Sequence, residues 1–241
     1  TMLERLRTLY HRQMFFPGWL GVFVNPFYFA RAELGSAITE FAPWLKKRLL
    51  DVGCGTKPYQ ELFNVDAYVG LDIDTHDSRE RGIADHFYDG ISFPFPDASF
   101  DSLLCNQVLE HVFNPDDFIR EMNRVLKPNG KLLLTVPFVW DEHEQPYDYA
   151  RYSSFGLRAL LKKNGFTILT HKKLGADATI LFQLANAYLF KVTQAWPKLL
   201  KFGFKVTVMA LINFLGVIAG WILPGNPDLF LDHVVLAEKH R

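Results

Sequence analysis

Cysteine is scarce in this chain, and neither sign of charge prevails. Cys54 and Cys105 are the two cysteines in 241 residues. They form no spaced set, which excludes a disulfide framework and points to a reducing compartment. Lys and Arg number 26, as do Asp and Glu, so no global field recruits nucleic acid. No internal repeat recurs and no low-complexity tract interrupts the chain, which excludes repeat architectures. A signal peptide is also not expected. Gln13 to Ala30 is uncharged and follows Arg5, Arg7 and Arg12, but it carries Pro17 and Pro26 and no small-residue cleavage site. A packed or interfacial cap is the better reading of that stretch. What the chain has in excess is apolar mass, 49% of residues with 22 phenylalanines. That is rich for a soluble enzyme and indicates extra apolar surface.

Alternating strand and helix signals begin near residue 47. Arg48 to Val52 reads as a short buried strand stopped by Gly53-Cys54-Gly55. Further strands are expected at Ala67 to Ile73, His86 to Tyr88, Phe100 to Cys105, Lys131 to Val136, Phe166 to Thr170 and Leu229 to Ala237. Asn114 is the expected N-cap of a helix with Pro115 at its first position and Asp116 and Asp117 in its first turn. Its apolar positions Phe118, Met122 and Leu126 recur at intervals of four, and Pro128 with Gly130 should end it. Ser153 or Ser154 caps another helix ending near Gly165. This rhythm predicts an α/β fold: a Rossmann-like, seven-stranded, mostly parallel sheet with helices on both faces. A single domain is expected, with an N-terminal helical cap over 1–44 and a cofactor-binding core over 45–175. An apolar helical insertion over 176–226 and a last strand and tail over 227–241 complete it.

The strongest local signal is Leu50-Asp51-Val52-Gly53-Cys54-Gly55-Thr56. A glycine turn after a first strand lets backbone approach a ligand and aims a helix start at an anion. The anion need not be a pyrophosphate; a methionine carboxylate suits equally, and Asp51 favours a cationic part such as an amino group. Asp72, seventeen residues after Gly55, ends the second strand, where a carboxylate can accept both ribose hydroxyls.

These segments resemble the class I S-adenosylmethionine-dependent methyltransferases, specifically a small-domain, type 11-like group, over roughly residues 45 to 170. Asp51 to Gly55 looks like the first motif of the group, and Asp72 falls where its ribose-binding acid falls. Asp89 to Phe95 resembles the segment whose acid meets the adenine amino group. Phe100-Asp101 through Asn106-Gln107-Val108-Leu109-Glu110-His111-Val112 resembles the fourth-strand motif, and Lys127 to Leu134 the approach to strand five. The resemblance implies S-adenosyl-L-methionine as cofactor, held by Asp51, Gly53, Cys54, Gly55, Asp72, Ile73, Asp89, Gly90 and Asn106. Lys57 and Pro58 depart from the pattern, standing where many members carry a third glycine. Asp89 could equally be a turn former before Gly90, and Glu110 and His111 read first as structural.

The acceptor side is expected on the loop after the fifth strand, Pro137 to Tyr152, which is dense in His, acids, tyrosines and one Arg. His143 is the preferred general base, because an ordinary imidazole near pKa 6.5 suits a hydroxyl at neutral pH; Tyr149 is the next candidate. Glu144, Asp148, Arg151 and Tyr152 are expected to meet substrate. The opposing reading is a brace of His143, Glu144, Asp148 and Arg151 that holds the loop shut. The spacing matches no metal motif, so no metal is expected. With Asn25 to Arg31, this loop resembles methyltransferases associated with bacterial surface-glycan assembly. That resemblance implies a saccharide hydroxyl or lipid-linked glycan intermediate as acceptor, and no nucleic acid.

Val206 to Leu223 holds eighteen residues without charge behind Lys198, Lys201 and Lys205. Because a last strand must return to the sheet, a single crossing is not expected. A buried lid, an interfacial helix pair over 178–223 and a homodimer contact remain. The expected place is the cytoplasm, with peripheral contact to the inner face of the membrane. Competing functions are methylation of a quinone-like or other lipid ring, and a catalytically silent cofactor-binding scaffold. A nicotinamide dehydrogenase fits the acid before the glycines less well.

Overall fold

The computed structural model describes residues 2–240, with side chains from Arg7 on. Thr1, Arg241 and the Arg5 side chain, which the sequence reading assigned to the cap and the tail, lie outside the described residues. By its internal contacts the chain forms two compact units. One holds residues 37–138, 142–172 and the chain from His233 on; the other holds the chain up to Ser36, residues 139–141 and residues 173–232.

The first of these units is built on the sheet. Its strands are β1 (Arg48–Val52), β2 (Ala67–Ile73), β3 (His86–Tyr88), β4 (Phe100–Asn106), β5 (Leu126–Pro137), β6 (Phe166–Leu174) and β7 (Asp232–Lys239). The order across the sheet is β3-β2-β1-β4-β5-β7-β6, and the pairs β1·β2, β1·β4, β2·β3 and β4·β5 are parallel. Strand order reverses at β1 and β4, so the crevice beyond their carboxyl ends is where such a sheet binds ligands. Leu49, Leu50, Val52, Leu103, Cys105, Leu132 and Leu134 are fully buried, each larger side chain contributing about 1.5–3 kcal/mol. Cys105 pairs in register with Val52, and both it and Cys54 are small, buried, unbridged packing residues.

Two boundaries differ from the sequence expectation, each for a local reason. The helix α5 (Pro115–Val125) stops before Leu126, which pairs with Phe100 as the first residue of β5. Pro128, Asn129 and Gly130 then sit in a register shift between the Phe100 and Ser102 pairings. Gly130 belongs there because a Cβ would lie 2.7 Å from Leu126 side-chain atoms. The turn signal therefore marks a bulge within a strand, not a helix end. Beside β5, β7 begins at Asp232, because Leu229 N–H closes a turn on Asn226 O. Phe166 begins β6 as expected, but the strand runs on to Leu174.

The second unit is helical: α1 (Met2–Phe15), α2 (Gly21–Val24), most of α3 (Tyr28–Phe41), α7 (Thr179–Val192), α8 (Lys198–Phe204) and α9 (Ala210–Ile222). A π-helical turn, Lys205–Met209, joins α8 to α9. The remaining helices, α4 (His76–Arg81) and α6 (Ser154–Lys163), flank the sheet. One stripe of α9 is small or polar and buried: Ala210, Asn213, Gly216 and Ala219. Asn213 Nδ2 donates to Val22 O and Asn25 O, both at 2.9 Å, and its Oδ1 accepts from Asn186 Nδ2 at 2.8 Å. With its amide met on both sides Asn213 fixes one packing, since an unmet buried group would cost about 1–3 kcal/mol. The opposite stripe, Leu211, Phe214, Leu215, Ile218, Trp221 and Ile222, is exposed. Only 28% of the apolar window between Lys198 and Ile222 is buried, so the buried-lid reading does not describe this helix.

Candidate active site

The glycine turn is shaped by its backbone. Gly53 has φ +71°, and a Cβ there would stand 2.4 Å from Val108 Cγ2. Gly55 has φ +51°, and a Cβ there would meet no protein atom within 4 Å. The first glycine is thus required by the protein, whereas the second leaves room for a close ligand. Gly53 N–H and Cys54 N–H both donate to Leu71 O, tying the turn to β2. Lys57, the departure from the family pattern, also has positive φ. Its chain crosses Gly70, where a Cβ would stand 2.3 Å from Cε, and its Nζ pairs with Asp85 at 2.7 Å.

Asp51 is buried and accepts a 2.6 Å hydrogen bond from Tyr68 OH. Burial outweighs that bond and Lys57 in raising its carboxyl to about 7. Between the unfolded value and about 7 the unfolded chain ionises first, so this group's contribution to stability is lost as pH rises through that window. A cationic amino group pairs only with the ionised form. Cofactor affinity is therefore expected to rise from acidic pH to about 7 and then level, as read by calorimetry at several pH values. A flat profile in wild type would remove the Asp51 contact.

Asp72 stands at the end of β2, with Oδ1 taking Ile73 N–H at 2.9 Å and Oδ2 facing Arg81 Nη2 at 3.1 Å. Arg81 is largely solvent-exposed and can yield to ribose hydroxyls. Ile73 is exposed beside it. Asp89 Oδ1 accepts from the amides of Ile91 and Ser92, and Gly90 has φ +85°. Asp89 therefore forms the turn, and those amides hold its carboxyl below the usual range. Asn106, ending β4, accepts from Thr135 Oγ1 at 2.8 Å. Burial raises the Cys54 thiol to about 12, which keeps it protonated and unreactive.

The loop after β5 is braced. Asp148 receives Arg151 Nη1 at 2.5 Å and Nη2 at 2.7 Å, together with His143 N–H at 3.0 Å. The Arg151 bonds come first among the causes that hold the Asp148 carboxyl down at about 2. The brace includes three of the four residues expected of it; Glu144 is exposed, at φ +49°. Its charge is thus solvated, so a bracing part for Glu144 is corrected. Tyr149 is exposed against Phe113, while Tyr152 is partly buried, its hydroxyl raised to about 12 by burial.

Sequence reasoning missed what this brace surrounds. Glu110, fully buried, lies with Oε1 3.7 Å from His111 Nε2 and 3.9 Å from His143 Nε2. Its carbonyl accepts from Tyr149 and Ala150 N–H, so the fourth-strand motif anchors the loop after β5. The Glu110-His111 pair was visible as a motif; only the fold brings His143 to it. In the helical unit, a cavity of about 460 Å³ is lined by residues including Trp19, Val22, Phe29, Glu33, Asp177 and Trp221. None of the cofactor-motif residues lines it.

Comparisons with known proteins bear on these features. Residues 50–134 match the family model described as a methyltransferase domain. The uncharacterized methyltransferase YcgJ of Bacillus subtilis is 33% identical over 133 residues, covering 50% of each chain. Malonyl-[acyl-carrier protein] O-methyltransferase of Erwinia pyrifoliae is 31% identical over 112 residues, covering 43% of each. An uncharacterized protein of Methanocaldococcus jannaschii is 37% identical over 94 residues, 38% of this chain and 45% of its own. The chain thus spans about half the length of the curated relatives it matches. Among solved structures, an S-adenosylmethionine-dependent methyltransferase of Archaeoglobus fulgidus superposes with TM-score 0.55 at 16% identity, covering 85% of this chain and 92% of that one. The [4+2]-cyclase SpnF gives 0.56 at 22%, covering 86% and 82%. At these identities the superpositions establish the fold, which hosts more than one chemistry. Residues 50–134 thus match a methyltransferase domain, on a sheet whose fold is that of solved S-adenosylmethionine-dependent methyltransferases.

Proposed function

We propose that this chain transfers methyl from S-adenosylmethionine to a hydroxyl oxygen of a saccharide or lipid-linked glycan intermediate. The bound cofactor supplies an electrophilic sulfonium methyl and departs as the thioether. The chain's own work is to hold it through the Gly53–Gly55 turn, Asp51 and Asp72, and to receive the acceptor over the loop after β5. The observation that carries this reading is the braced His143, whose Nδ1 lies 3.3 Å from Asp148 Oδ2 while Nε2 is directed at Glu110. An imidazole so oriented takes the hydroxyl proton through Nε2, and the two carboxylates stabilise the resulting cation. Incubation with methyl-labelled cofactor and a lipid-linked glycan extract tests it. Label should appear as an alkali-stable methyl ether on sugar. Label in a quinone fraction would favour the lipid-ring reading, and no transfer would leave a scaffold.

The exposed apolar stripe of α9 supports peripheral attachment to the inner face of the cytoplasmic membrane. Trp221 and Ile222 are about three-quarters exposed, behind the lysines at 198, 201 and 205. A bare apolar stripe on a helix whose other stripe packs on protein is rarely left in water, and a membrane interface covers it. Alkaline carbonate is expected to strip the protein from membrane fractions, and anionic liposomes to recapture it in a salt-sensitive way. Retention after carbonate would mean an integral segment.

A further inference from the structure

We infer that Glu110, His111 and His143 form a binding site for one divalent first-row transition ion, such as Mn²⁺, Co²⁺ or Zn²⁺. One ligand atom from each lies within 4.8 Å of the other two. The two Nε2 atoms stand 3.7 and 3.9 Å from the same carboxylate oxygen. Those separations are too long for hydrogen bonds. They suit ligands that share an ion, because bonds of about 2.1 Å place ligand atoms up to about 4.2 Å apart, and a small closure of the two imidazoles brings all three onto it. The rings meet edge to face, with centroids 4.8 Å apart and planes at 77°.

The second layer is also that of a metal site. His111 Nδ1 is 3.0 Å from Tyr147 O, and a carbonyl only accepts, so Nδ1 carries the proton and Nε2 the lone pair. His143 Nδ1 faces Asp148 Oδ2 at 3.3 Å. Arg151 Nη2, 3.5 Å from that nitrogen, already donates to the same Asp148 oxygen at 2.7 Å. Both imidazoles are therefore oriented by acceptors behind them, with Nε2 turned toward Glu110, as metal-bound histidines are. Two imidazoles and one carboxylate suit the borderline transition ions better than Mg²⁺ or Ca²⁺, which favour oxygen throughout. Three protein ligands leave positions for water or for an acceptor hydroxyl.

The functional consequence rests on the proposed acceptor reading, and it changes one role. With an ion on Nε2, His143 is a ligand; the ion acidifies the coordinated hydroxyl, whose proton passes to water as oxygen takes the methyl. The test is to strip the purified chain with chelator and titrate it with Co²⁺ and Mn²⁺, reading ion stoichiometry and the cobalt visible spectrum. One ion per chain is expected, with affinity lowered about 100-fold or more in His111→Asn and His143→Asn and about 10–100-fold in Asp148→Asn. Unchanged S-adenosylmethionine affinity in each variant establishes that it has folded. No stoichiometric uptake, or uptake unchanged when both histidines are replaced, overturns the site. If chelated enzyme methylates a sugar at the full rate, the ion has no part in transfer and the acceptor reading stands. If the ion binds as expected and no sugar is methylated, the acceptor reading falls and the site stands.

Discussion

His143→Ala is expected to leave cofactor affinity at the wild-type level and to lower methyl transfer by roughly 10²–10⁴-fold. The residue stands on the loop after β5, and the cofactor motifs are on β1, β2 and β4, so its loss removes acceptor chemistry alone. The brace supplies the controls. Glu144 is exposed and outside the brace, so Glu144→Gln should keep wild-type thermal stability. Arg151→Ala removes two hydrogen bonds to Asp148 and should lower activity and thermal stability together. The Asp148 carboxyl is held low, so the stability it contributes is present above its ordinary value and lost as pH falls toward about 2. Steady-state rates with labelled cofactor, set beside thermal melts, separate the two effects. A His143→Ala enzyme at the wild-type rate would remove the residue from the chemistry and bring Tyr149 forward.

Asp72→Ala is the second large effect. A charged acceptor for two ribose hydroxyls is worth about 1.5–3 kcal/mol, so affinity for S-adenosylmethionine should fall about 10–150-fold. Arg81, its ion-pair partner, reaches solvent and is not stranded by the change. The fold should therefore hold while binding weakens. Asp72→Asn keeps one acceptor and should fall between the two. Equal affinities for wild type and Asp72→Ala, measured by calorimetry, would remove the ribose assignment.

Much of the sheet could be read from sequence because its signals are local. Arg48–Val52, Ala67–Ile73 and His86–Tyr88 lie between turn-forming residues, and the structure gives them the same bounds. Leu126 was misplaced because helical spacing and a buried strand start make the same demand, an apolar side chain. Only its pairing with Phe100 distinguishes them. The residues expected to hold the cofactor could be placed in the fold because each lies at or just beyond the carboxyl end of a strand. The Glu110, His111 and His143 group could not, since two histidines more than thirty residues apart meet only through loop folding. The polar stripe of α9 was hidden for a similar reason. Asn213 in an uncharged run looks like a weak spot in a membrane segment, until Val22, Asn25 and Asn186 supply its partners.

The central claim is that the carboxyl ends of β1, β2 and β4 hold S-adenosylmethionine. Calorimetric titration of that cofactor into the purified wild-type chain tests it most directly. A single saturable site per chain is expected, competed by S-adenosylhomocysteine, the product left after methyl transfer. The absence of saturable binding in a folded chain would contradict it.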